Sequence, residues 1–151
     1  MTNSLSSKSQ TSHLTMTPYK LHKDSFVFAN GDRYDGEYII TDAGQIMRHG
    51  HGKYISANQQ CTYEGSWNHD KMHGTGQLTF DNSTSYNGEF QSNFYNGFGI
   101  YTWPDGSQYE GLWNNSKAVG KAEYYDSNLG ASFVGMIDEQ GIQMRYKLNC
   151  A

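Results

Sequence analysis

Aliphatic residues are scarce in this chain. Only 36% of its 151 residues are hydrophobic and the mean hydropathy is −0.78. That is too little for a thick globular core, and no stretch approaches the roughly 20 apolar residues of a membrane span. Cysteine is nearly absent. Cys61 and Cys150 are the only two, too few for a disulfide framework, and both read as free thiols of a reducing compartment. The Ser/Thr-rich N-terminus, Met1 to Pro18, has no apolar segment of a secretory signal, and the lack of arginine there weakens a transit-peptide reading. The sequons Asn82-Ser-Thr84 and Asn114-Asn-Ser116 therefore carry no expectation of glycosylation. A nucleophile elbow, a phosphate-cradling loop and a Cys–His neighbourhood are all missing, so the residues point to no enzyme and no cofactor. Cations are few as well. Eleven Lys and Arg stand against 15 Asp and Glu, a net charge of −4. Residues 1–23 hold Lys8, Lys20 and Lys23 and no acid, which leaves the remainder at −7. An acidic body is a poor footprint for nucleic acid, and it makes contact with anionic lipid weak.

What the chain does have is tyrosine, 12 of them, and 17 glycines, set in a repeat. Tyr34-Asp-Gly36-Glu-Tyr38, Tyr63-Glu-Gly65-Ser-Trp67, Tyr86-Asn-Gly88-Glu-Phe90 and Tyr109-Glu-Gly111-Leu-Trp113 are four copies of one motif. Tyr63, Tyr86 and Tyr109 are each 23 residues apart. A fixed period of this size marks a repeat architecture, which presents a surface rather than enclosing a reaction.

The unit at 63–86 reads as a β-hairpin. Period-2 alternation places Tyr63, Gly65 and Trp67 on one face and Glu64 and Ser66 on the other. Gly74, Gly76, Leu78 and Phe80 share a face of the next run, and the polar Asn68–His73 stretch reads as the loop between. Glycines between aromatics let a ring lie flat on the backbone. Trp103-Pro-Asp-Gly106 has type I turn order. The spacing predicts a half-unit at 25–33, units starting near 34, 63, 86 and 109, and a degenerate capping unit from 133. Together these form one domain over 24–148, preceded by a disordered tail over 1–23. The first full unit is longer, and its extra residues, mostly 39–48, read as a loop insertion. A last strand over Ile142–Leu148 carries Arg145 and Lys147, which discourage edge pairing.

These units resemble the MORN (membrane occupation and recognition nexus) repeat. Tyr63-Glu-Gly-Ser-Trp67 with His73-Gly-Thr-Gly76 and Leu78-Thr-Phe80 follows its pattern nearly throughout. Tyr86-Asn-Gly-Glu-Phe90 with Asn96-Gly-Phe-Gly99 follows it too. Tyr109-Glu-Gly-Leu-Trp113 does so up to Val119-Gly-Lys-Ala122, which loses the second glycine. The resemblance covers about residues 26–137. It implies an all-β fold, an elongated single-layer antiparallel sheet of stacked hairpins with an aromatic-lined groove. It also implies a cytoplasmic scaffold role in cilia, flagella, cytoskeletal structures, germ cells or vesicle-associated assemblies. The short length and degenerate last unit are similar to small members linked to spermatogenesis and vesicle processes.

The candidate site residues follow. Tyr34, Gly36, Tyr63, Gly65, Gly74, Gly76, Tyr86, Gly88, Gly97, Gly99, Tyr109 and Gly111 are expected to be structural. Tyr38, Trp67, Phe90, Trp103 and Trp113 are expected to line a groove for a protein partner, an extended or helical segment of a larger assembly. The readings in contention are a protein scaffold, a peripheral adaptor for anionic lipid, and a fixed element of a polymer such as an axoneme, with a homodimer open to any of them. His49 and His73 precede Gly-x-Gly, where Asn96 also stands, so they read as a repeat position and not as metal ligands. Acid pairs such as Asp35 and Glu37 read as solvated.

Overall fold

The computed structural model describes residues 19–147. Cys150 and residues 1–18 of the expected tail lie outside the described residues. The described residues form eleven strands: β1 (His22–Val27), β2 (Arg33–Ile40), β3 (Ile46–Ile55), β4 (Cys61–Asn68), β5 (Lys71–Phe80), β6 (Ser85–Gln91), β7 (Phe94–Thr102), β8 (Gln108–Asn114), β9 (Lys117–Asp126), β10 (Ala131–Asp138) and β11 (Gly141–Tyr146). Each pairs antiparallel with the next in one open sheet whose spatial order is the chain order. No helix occurs among the described residues. The sheet begins two residues before the boundary expected at residue 24, because His22 and Lys23 pair with Tyr38 and Glu37 of β2.

Two kinds of turn alternate along the sheet. At one edge the hairpins close on two residues with positive φ: His69 and Asp70 (48° and 64°), Ser92 and Asn93 (50° and 75°), Asn115 and Ser116 (47° and 61°). Two left-handed residues make the turn whose twist matches that of the flanking strands, and Asn, Asp and His tolerate it best. The strands therefore stay paired up to the turn. Asn68–His73, expected as a loop, is strand apart from its two central residues. At the other edge Trp103-Pro-Asp-Gly106 turns as its sequence predicts. The Gly106 N–H donates to the Trp103 carbonyl at 3.0 Å, and Gly106 has φ +85°.

The insertion expected as a loop at 39–48 is mostly paired strand. Ile39 and Ile40 pair with Met47 and Ile46, and only Thr41–Gln45 is left to turn. The apolar pairs make ladder extension more favourable than a solvated loop.

The core is one residue thick. In each motif the first tyrosine lies flat over a glycine on its own strand and a residue facing it on the next: Gly36 and Gly52, Gly65 and Gly76, Gly88 and Gly99, Gly111 and Ala122. Its hydroxyl then donates to the carbonyl three residues on. Tyr34 reaches Glu37 at 2.6 Å, Tyr63 reaches Ser66 at 2.9 Å and Tyr86 reaches Glu89 at 3.0 Å. The fourth unit shows what the second glycine contributes. Ala122 stands in its place, and the bond from Tyr109 to Leu112 lengthens to 3.3 Å. Tyr34, Tyr63 and Tyr86 are buried almost completely.

That burial makes the fold sensitive to alkali. Desolvation pushes the phenols of Tyr34, Tyr63 and Tyr95 up to about 12, and Tyr86 further. Burial and the hydrogen bond to Asp32 do the same for Tyr54. An unfolded chain ionises its tyrosines near ~10, so ionisation favours the unfolded state. Stability is expected to be full below about pH 10 and to fall as the pH rises toward 12. Thermal melts across this range, with tyrosinate absorbance followed in parallel, test it. A melting temperature flat to about pH 12 would contradict the burial.

Candidate partner-binding site

Seven rings form a continuous edge-to-face herringbone: Tyr34, Trp67, Tyr63, Phe90, Tyr86, Trp113 and Tyr109. Successive centroids are 5.6, 5.0, 5.1, 5.1, 5.5 and 5.0 Å apart, with planes crossed at 77–89°. In the last three motifs the final aromatic thus wedges between its own tyrosine and that of the preceding unit. This geometry adds about 0.5–1.5 kcal/mol per pair beyond burial. The indole N–H groups are used internally, Trp67 donating to the Gly52 carbonyl at 3.1 Å and Trp113 to the Gly99 carbonyl at 3.2 Å.

The five residues expected to line a groove therefore part company. Trp67 and Phe90 are core, only 5% and 3% exposed, because tyrosines on both sides close over them. Trp113 is half-buried, since its cross-strand partner is the short Ala118 where Trp67 faces Met72 and Phe90 faces Tyr95. Tyr38 is half-buried at the β1 end, stacked on His22 at 5.2 Å and edge-on to Phe26 at 5.1 Å. It borders a recess of about 180 Å³ shared with Phe28, Ile46 and Arg48. Trp103 is 37% exposed and lies at the opposite, turn-bearing edge.

Around Trp103 the structure gathers residues that the motif did not single out. Its ring meets Tyr101 at 4.9 Å and Tyr124 at 5.8 Å. Next to Tyr101 a recess of about 410 Å³ is lined by Gln60, Phe80, Asp81, Asn82 and Thr84. The signal for these residues was present in the 23-residue period, which relates Phe80 to Trp103 and Tyr101 to Tyr124.

Arg48 was also missed. It faces Tyr38 across the ladder, the position held by Met72, Tyr95 and Ala118 in later hairpins. Its guanidinium lies 4.2 Å from the Trp67 ring centroid and 3.0 Å from an Asp70 carboxylate oxygen. Only register reveals that an insertion residue occupies a repeat position.

Several acids and histidines prove structural. Glu37 accepts the His51 N–H at 2.7 Å and Glu89 the Phe98 N–H at 2.9 Å. Both bonds satisfy donors freed where the register shifts beside Gly36 and Gly88, so these two acids are not simply solvated. His49 meets His69 edge-on at 5.0 Å. Burial, and then the charge of His69, lower its pKa. Among the described residues no three His, Cys, Asp or Glu side chains gather as metal ligands. Cys61 is a free thiol whose pKa is raised by burial. A concavity of about 810 Å³ lies against the opposite face, from β7 to β11. Glu110, Glu123, Lys121 and Arg145 edge it, and this mixture of signs sets no charge preference.

A family model described as the MORN repeat matches residues 45–61, 63–85, 86–108 and 109–130. Alsin from Homo sapiens and from Rattus norvegicus are each 31% identical to this chain over 71 residues, covering 44% of the chain. The match spans only 4% of the length of either relative. A solved structure, the SAS-4 (dCPAP) TCP domain in complex with a proline rich motif of Ana2 (dSTIL) from Drosophila melanogaster, is similar at 15% identity and a TM-score of 0.36. The alignment covers 84% of this chain and 90% of that one, and the score is too low to establish a shared fold. The MORN repeat is a non-enzymatic module associated with protein or membrane binding. With four matched copies over more than half its length, the last three each laid out as a hairpin of one open sheet, this chain belongs to the MORN repeat family.

Proposed function

We propose that this chain is a non-enzymatic scaffold or adaptor that holds a protein segment against its aromatic face within a larger cytoplasmic assembly. The observation that carries this reading is the uncovered aromatic surface of a one-layer sheet. A sheet face normally buries itself against a second layer. Among the described residues no second layer covers Trp103, Tyr101 and Tyr124. Trp103 is exposed and the two tyrosines beside it are half-buried, and solvent-facing aromatics are the usual anchors of protein interfaces. A ciliary, flagellar, germ-cell or vesicle-associated setting is part of the proposal. It rests on the likeness of the degenerate last unit to that of the small MORN repeat-containing protein 2 type.

The test compares proteins that co-purify with the wild-type chain and with a Trp103→Ala/Tyr124→Ala double variant whose fold is verified by circular dichroism. The expected result is loss of one defined protein from the variant. An unchanged set of partners would overturn the aromatic face as the docking surface.

A further inference from the structure

We propose that the aromatic row at the Trp103 edge binds a basic, proline-rich segment in the polyproline II conformation, running across the strands. This deepens the protein-binding reading above and depends on it.

The first argument is a match of periods. Phe80 ends β5 and Trp103 directly follows β7, one repeat apart, and Tyr101 and Tyr124 stand one repeat apart within β7 and β9. One hairpin is two strands wide, and strands lie about 4.8 Å apart, so equivalent rings recur roughly every 9.6 Å along the sheet. A polyproline II helix has three residues per turn and rises about 3.1 Å per residue, presenting the same face every ~9.3 Å. A segment laid across the strands therefore sets every third residue over an equivalent ring. An α-helix, whose turns recur every ~5.4 Å, does not keep this step.

The second argument is hydrogen-bonding capacity. A polyproline II backbone makes no internal hydrogen bonds, so its carbonyls need donors. The indole N–H of Trp103 has no partner among the described residues, unlike those of Trp67 and Trp113, which donate within the sheet. The Tyr101 and Tyr124 hydroxyls likewise have none among the described residues. The row is an apolar floor with three free donors along it. The recess lined by Phe80 and Tyr101, about 410 Å³, has room for a proline ring.

The third argument is charge. The turns at this edge, residues 28–32, 56–60, 81–84, 103–107 and 127–130, contain Asp32, Asp81 and Asp105 and no Lys or Arg. At the strand ends beside these turns Asp126 adds a fourth carboxylate and Arg33 one cation, while Lys147 is paired with Glu123. Asp81 lines the recess and is exposed. An anionic edge beside an aromatic floor selects a cationic occupant and repels an acidic one.

The experiment uses ¹⁵N-labelled chain and follows the indole N–H signals of its 3 tryptophans. A peptide of repeated Pro-Pro-Arg triplets is expected to shift the Trp103 signal and leave those of Trp67 and Trp113 nearly still. A peptide of repeated Pro-Pro-Glu triplets is expected to bind at least about tenfold more weakly. The Trp103→Ala variant should lose binding of Pro-Pro-Arg about tenfold or more. Asp81→Asn should weaken Pro-Pro-Arg severalfold and leave an uncharged proline-rich peptide unaffected. Equal binding by an Ala/Arg helical peptide of the same charge would overturn the conformational claim, and so would a Trp103 signal that no proline-rich peptide moves. If that happens while the Trp103→Ala/Tyr124→Ala variant still loses its co-purifying protein, the scaffold reading stands and only the nature of the occupant fails.

Discussion

Replacing Gly88 with alanine is expected to lower stability by about 3 kcal/mol, at the upper end for overpacking a core. A methyl on Gly88 would sit 2.5 Å from the Gly99 Cα and 2.6 Å from the Phe98 carbonyl oxygen. Both are backbone atoms of the adjacent strand, so relief requires the paired strands to separate at Gly88–Gly99, beside the register shift. The same change at Gly99 meets the ring and hydroxyl of Tyr86 instead. A ring can slide, and the chain contains the outcome. Ala122 is the counterpart of Gly99 one repeat later, and there the tyrosine bond lengthens to 3.3 Å while the hairpin persists. Gly99→Ala is accordingly expected to cost about 1 kcal/mol, the scale of one weakened hydrogen bond. Urea denaturation of both variants checks the contrast. Equal losses would mean that the glycine row serves the rings alone and not the approach of the strands.

Trp67→Ala is expected to destabilise the chain by about 4 kcal/mol, within the range for removing a buried tryptophan. The loss opens a cavity between Tyr34 and Tyr63, whose centroids lie 5.6 and 5.0 Å from the indole. It also leaves the Gly52 carbonyl without its indole donor and removes the ring beneath the Arg48 guanidinium. Domain stabilities are commonly about 5–15 kcal/mol, so the variant approaches the unfolding threshold. Trp103→Ala, an exposed ring at the sheet edge, is expected to cost under about 1 kcal/mol. Denaturant midpoints of the two variants decide the matter. If Trp67→Ala retained wild-type stability, the herringbone would not be the core. Loss of a partner in that variant reports unfolding and not a binding contact, whereas the same loss in Trp103→Ala reports the surface.

The repeat was legible because its causes are local. Alternation of Tyr63, Gly65 and Trp67 sets one face of a strand, and Pro104, Asp105 and Gly106 set a turn, with no need of a distant partner. The opposite turns were less legible. His69–Asp70 is a turn because two residues there accept left-handed backbone, and the flanking Lys71, Met72 and His73 hide that pair inside a polar run. Arg48 looked like part of an insertion until the ladder placed it opposite Tyr38.

The sequence by itself determined the hairpins, their number and period, and the tyrosine–glycine rows that make the sheet one layer thick. Only the tertiary structure decided which aromatics are core and which are surface. Trp67, Phe90, Trp103 and Trp113 are chemically alike, but in a one-layer sheet a ring is hidden only when the tyrosine of the preceding unit leans over it. That tyrosine lies 33 residues before Trp67 and 27 before Phe90 and Trp113. Its reach depends on register, the left-handed turn residues and the length of the residue facing across the ladder, all of which are settled between strands and not within one.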